Sequence, residues 1–172
     1  KGFTQKLLNT SVLGTITKFY YNRYTYQNIT VDGSMKMPYY KGYFNSNDPN
    51  LKMDFDGVID LSKKANNYDF KAQIDYADLH VLNFYKKDSI SIFKGNINFK
   101  AHGNSIDNLV GKLEINDVSY QNSKDYYFFD DFEINSTFDA EAIRTITINS
   151  PDIISGQIVG KYKVNEVQKI VE

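Results

Sequence analysis

The sequence predicts an all-β protein of long antiparallel strands in a strongly curved sheet. Three observations predict it. Apolar residues recur with a period of two, no helical pattern is long enough to cover a sheet, and glycines fall on the apolar phase of the strands. An antiparallel sheet with one oily face and no helical layer must close as a barrel, pair as a sandwich or curl into a trough. Gly14, Gly33, Gly57, Gly156 and Gly160 stand where core side chains are expected, which favours tight curvature and a narrow interior. A closed β-sandwich is the alternative.

In chain order, the first clear alternation is Ile29, Val31, Gly33, Met35 and Met37. The clearest is Leu51, Met53, Phe55, Gly57, Ile59 and Leu61, opposite Lys52, Asp54, Asp56 and Asp60. At ~3.3 Å per residue this run extends ~36 Å, about double a usual strand. Tyr68, Phe70, Ala72, Ile74 and Tyr76 repeat it, with Asn66-Asn67 as turn chemistry between the two runs. Shorter runs follow at Ile97, Phe99 and Ala101, at Leu113 and Ile115, at Phe132 and Ile134, and at Ile146 and Ile148. The last is long again, from Ile154 through Ile158 to Val164. One extra residue flips the face of a strand, so the phase slips predict β-bulges near Phe93 and near Asn116-Asp117. Helical potential is confined to residues 3–8, 79–84, 105–109 and 165–171.

With 172 residues, 41% of them hydrophobic, the chain holds one structural unit, 1–172. Lys+Arg 20 against Asp+Glu 21, with no basic stripe, argues against nucleic acid as a partner. The absence of Cys excludes a disulfide framework and a thiol nucleophile. The start has no secretory-signal pattern, and no apolar run approaches the ~20 residues of a spanning helix. An excised fragment or a mature product is expected.

Little here suggests catalysis. His80 and His102 lack metalloprotease spacing, and Asp54-Phe55-Asp56-Gly57 resembles a calcium loop only until Val58 and Leu61, which offer no side-chain oxygen. Asp130-Asp131 reads as acidic residues at a strand break. No nucleophile elbow, Walker loop or dinucleotide fingerprint is present. The expectation is a protein that is not an enzyme, with no catalytic residue, metal or cofactor.

The second half carries a recurrent order of strand and turn. It runs through Asp78-Leu79-His80-Val81-Leu82-Asn83, Lys94-Gly95-Asn96-Ile97, Ser105-Ile106-Asp107-Asn108-Leu109-Val110-Gly111-Lys112-Leu113 and Ile153-Ile154-Ser155-Gly156-Gln157-Ile158. This order resembles the AsmA/TamB superfamily, in the TamB-like version of Bacteroidota, best over 75–164. The resemblance implies a fragment of a much longer, repetitive β-groove (β-taco) protein of the cell envelope. It implies a periplasmic location, an inner-membrane anchor outside this sequence, and an outer-membrane barrel of the Omp85 class as partner. The implied function is transfer of phospholipid between inner and outer membranes, outer-membrane protein assembly, or both.

Elementary energetics agree with a trough. Moving an acyl chain of ~15 methylenes through water costs about 12 kcal/mol, and a continuous apolar surface removes most of that cost. The expected lining for phospholipid acyl chains is Leu51, Met53, Phe55, Ile59, Leu61, Phe70, Ile74, Ile97, Phe99, Leu113, Ile115, Ile134, Ile146, Ile148 and Ile158. Two other readings stay open: a sandwich serving as an adhesive or carbohydrate-binding module, with Tyr39-Tyr40 or Tyr126-Tyr127 as contacts, and a structural spacer whose groove is filled by its own side chains.

Overall fold

The period-two segments form ten strands. The computed structural model describes residues 9–36, 38–62 and 64–164. The strands are β1 (Asn9–Tyr21), β2 (Tyr24–Lys36), β3 (Tyr39–Asp48), β4 (Leu51–Asp60), β5 (Asn67–Asp78), β6 (Ser91–His102), β7 (Val110–Asn122), β8 (Tyr126–Phe138), β9 (Arg144–Ser150) and β10 (Ile154–Gly160). They pair in strict chain order, each antiparallel to the next, in one ten-stranded sheet with β1 and β10 at its edges. The sheet does not close into a barrel. The sandwich alternative is corrected too, because every strand joins the same sheet and no second sheet exists among the described residues.

Register places alternate residues of neighbouring strands in continuous rows. One row crosses Val31, Phe44, Phe55, Ala72, Ile97, Ile115 and Phe132. The next crosses Gly33, Gly42, Gly57, Phe70, Phe99, Leu113, Ile134 and Ile148. The intervening positions, among them Asp56, Lys71, Asn98, Glu114 and Glu133, make an outer face of charges and amides. The chain exposes 11743 Å², whereas a compact monomer of this length exposes about 8,600 Å². A single-layer sheet, with both faces open, exposes more than a globule of the same length.

Three glycines meet in the second row because backbones approach there. A Cβ on Gly42 would lie 2.4 Å from the Cα of Gly33, and one on Gly57 would lie 2.4 Å from the Cα of Phe70. Both glycines adopt φ near +150°, at 148° and 149°, which side chains of L-residues rarely tolerate. These positions crease the sheet, Gly33 and Gly57 as the glycine phase predicts and Gly42 beyond it, whereas nothing lies within 4 Å of a Cβ at Gly14 or Gly156.

Kinks complete the curvature. The register shifts between Ile74 and Ala77 and between Lys94 and Asn96, where Asp75-Tyr76 of β5 and Asp117-Val118 of β7 each stand opposite one residue of β6; the extra residue expected near Phe93 therefore lies on the neighbouring strands and not on β6. Asp117, at φ 52°, is the irregularity expected near Asn116-Asp117, and Asn28, at φ 56°, is a second of the same kind. Around Asn28, Tyr26 and Ile29, three apart, enter one core cluster, and on β8, opposite Asp117, the rings of Phe129 and Phe132 lie 6.1 Å apart.

Several boundaries differ from the sequence reading. Residues 79–84 and 105–109 form turns, not helices, because each serves as a strand connection. The β4–β5 connection is 61–66, since Asn67 already pairs with Asp60. β10 ends at Gly160, short of Val164. The expected helical stretches at 3–8 and 165–171, and Met37, lie outside the described residues.

Candidate functional site

The inner face of the sheet is the one extensive apolar surface among the described residues. Its aromatic residues pack along the rows: Phe55 lies 5.1 Å from Phe70, Phe70 lies 5.6 Å from Phe99, and Tyr68 lies 5.4 Å from Phe99, measured between ring centroids. Of the expected lining, Leu51, Met53, Phe55, Ile59, Phe70, Ile74, Ile97, Phe99, Leu113, Ile115, Ile134, Ile146 and Ile148 are half-buried. They contact one another sideways and remain partly open above. Leu61 and Ile158 are more open, each 43% exposed, although Ile158 pairs with Ile146 and so continues its row. Leu61 falls in a connection whose amide bonds the Pro38 carbonyl, and Ile158 sits on the edge strand β10.

Register adds residues that the expected lining left out: Val31 and Phe132, which the alternation already placed on the apolar phase, Phe44 and Phe93 on the strands, and Leu79 and Leu82 above them. Leu82 is 1% exposed and lies against Tyr26, Ile29, Val31 and Ala77. The segment carrying it, 79–90, joins β5 to β6 and folds across the inner face. Asn22 in the β1–β2 turn donates from Nδ2 to the carbonyls of Leu82 and Asn83, at 3.1 and 3.0 Å, tying the segment to strands on the far side of the trough. Asn22 and Arg23 both adopt positive φ, as a tight two-residue hairpin requires.

This roof leaves a cavity of about 350 Å³ between Phe44, Leu51 and Met53 below, Leu79 and Leu82 above, and Phe19 and Tyr21 to the side. An apolar cavity of ~150 Å³ suffices to bind benzene. A wider depression on the outer face, about 430 Å³, is lined by Asp69, Lys100, Lys112 and Glu114. Its charges satisfy each other: Lys100 pairs with Asp69 at 3.2 Å, and Lys112 bridges Glu114 and Glu133 at 2.6 and 3.0 Å.

Polar anchors hold the trough in shape. Asp48, fully buried, accepts from the Tyr24 hydroxyl at 2.7 Å, the Gln27 amide at 2.9 Å and the Asn50 amide at 2.8 Å. That carboxylate fastens the kink at Asn28 to the β3–β4 turn. Burial raises the Tyr24, Tyr26 and Tyr40 hydroxyls above the usual phenol range, so all three stay neutral near neutral pH. On the outer face, the hydrogen bond from Tyr43 first and that from Asn45 second hold Asp54 below the ordinary carboxylate range.

No group of three or more metal-ligating side chains occurs among the described residues. His80 lies in the roof, where its Nδ1 is buried without a hydrogen-bond partner, and His102 ends β6. Asp130 and Asp131 serve structure: the Asp130 amide bonds Asp152, and Asp131 accepts from Asn116 at 2.6 Å. The arrangement is suited to holding an apolar ligand by shape and burial. Compared with protein-family models, with curated proteins and with solved structures, the chain matches none of them.

Proposed function

We propose that the chain is a non-enzymatic segment of a hydrophobic groove that holds phospholipid acyl chains. The observation that carries this reading is the continuity of the apolar rows across one face of an open sheet, from Val31 to Ile148, with no second layer over most of them. Contacts of this kind are non-directional and similar from row to row, so a chain can slide along them without a deep trap. The resemblance to TamB-like proteins extends the proposal: phospholipid transfer between inner and outer membranes, assembly of outer-membrane proteins, or both, in the periplasm, beside an Omp85-class barrel. The adhesive-module reading loses its support with the second sheet it needed.

Native mass spectrometry tests the groove. The purified chain is expected to carry phospholipid released by mild activation, and Phe55→Asp or Ile97→Asp is expected to abolish it while circular dichroism stays unchanged. Lipid retained by the folded variants counts against the groove.

A further inference from the structure

In a meander of this order, the β1–β2, β3–β4, β5–β6, β7–β8 and β9–β10 connections emerge at the same end of the sheet. That end carries a concentration of exposed aromatic side chains: Tyr20 and Tyr21 before the first turn, Phe84 and Tyr85 in the roof, and Tyr126 and Phe128 after the turn into β8. All six are exposed, and Tyr20, Tyr126 and Phe128 are 70%, 65% and 62% exposed. Leaving such area in water is unfavourable, so its collection on one rim calls for a partner.

The rim is continuous. Asn22 bonds the first turn to the roof, and Ser123 Oγ reaches Asp88 Oδ1 at 3.5 Å to join the roof to the β7–β8 turn. Cations are interleaved with the rings: Arg23, Lys86, Lys87 and Lys124 stand at the same tips, against Asp88, Asp125 and, in the β9–β10 connection, Asp152. All three carboxylates are engaged locally, Asp88 by Ser123, Asp125 by the Tyr127 hydroxyl and Asp152 by the Asp130 amide.

This mixture discriminates between partners. Protein interfaces are depleted of Lys, which is costly to desolvate. A bilayer surface accepts both components, with tyrosine and phenylalanine at headgroup depth and lysine and arginine on phosphate oxygens. The cavity beneath the roof reaches the same rim, since Phe19, Tyr21 and Phe84 line it. We infer that the rim formed by residues 19–23, 84–90 and 123–128 docks on a phospholipid bilayer, with its basic side chains favouring anionic headgroups. This surface is read from side-chain placement and goes beyond the groove proposal without resting on it.

Co-sedimentation of the full chain with vesicles of phosphatidylcholine and phosphatidylglycerol tests it. The unaltered chain is expected to partition onto vesicles. Replacing Phe84, Tyr126 and Phe128 together by Ser is expected to weaken partitioning about tenfold or more. Exchanging Lys86, Lys87 and Lys124 for Glu is expected to remove the preference for phosphatidylglycerol. Replacing Leu61 and Ile106 by Ser, at the opposite end, is expected to leave partitioning unchanged, and the circular dichroism of every variant should match the parent. Absence of binding, or equal loss from both ends, overturns the proposal. Vesicle binding unaffected by the rim changes, with a lower oligomeric mass in their place, overturns it in favour of a protein partner. Phe55→Asp separates the two readings, because it empties the groove while leaving the rim intact.

Discussion

The two ends of the trough are closed by different chemistry. At the aromatic end, the 79–90 roof lays Leu82 into an apolar cluster and leaves a cavity below it. At the other end, Arg144, 2% exposed, donates from Nε to Ser136 Oγ at 3.1 Å and from its terminal nitrogens to the Asp107 and Leu109 carbonyls at 3.3 and 3.2 Å. Its guanidinium carbon stands 5.4 Å from the centre of the Phe138 ring. The nearby 103–109 connection is polar, with Asn108 accepting from the amides of Asn104 and Ser105. Directional hydrogen bonds fix a geometry, whereas apolar packing tolerates rearrangement at modest cost. Leu82 and its apolar neighbours are therefore the contact suited to yielding to a ligand, between the hydrogen bonds from Asn22 and to Asp48 that fix the same end.

Substitutions can break this contrast. Leu82→Ala removes a fully buried side chain and is expected to destabilise the fold by about 3 kcal/mol, read from urea unfolding, with stronger binding of an apolar dye in the enlarged cavity. Arg144→Met, at the other end, takes the donor from the Asp107 carbonyl and from Ser136 Oγ, while the Leu109 carbonyl keeps its bond from Ser136, and should cost about 2 kcal/mol without raising dye binding. Tyr24→Phe removes one of the three bonds to Asp48 and is expected to cost about 1 kcal/mol in the same assay. The smallest effect lies on the outer face, away from both ends. There the hydrogen bond from Lys112 lowers the Glu114 carboxyl, and that from Tyr43 lowers Asp54. A depressed carboxylate stabilises the fold above its unfolded pKa and loses that contribution as pH falls through the folded value. A slight drop in Tm on acidification below pH about 4 should follow, reduced in Glu114→Gln.

Strand identity and the apolar phase were legible because a half-buried sheet writes period two into the chain, as at 51–60 and 67–78. The crease was legible as glycines in that phase, although Gly42, the centre of the line, lies outside any clear alternation. The roof was not legible. Residues 79–84 carry apolar side chains at helix-like spacing, and nothing local says that the segment crosses to meet the β1–β2 hairpin, sixty residues earlier. The buried pair of anchors, Asp48 and Arg144, was also hidden, because a polar residue near a strand end reads as solvated until its partners are known. Leu61 entered the expected groove because alternation continues past the strand end: its amide still bonds the Pro38 carbonyl, but its side chain stays 43% exposed there.

The most direct measurement is photo-crosslinking with a phospholipid bearing a reactive group midway along its acyl chain, followed by mapping of the modified peptides. Adducts confined to inner-row residues such as Phe55, Ile97, Phe99 and Ile115 are the predicted result. Adducts on outer-face positions such as Lys71 and Glu114, or none at all, would contradict an acyl-chain groove.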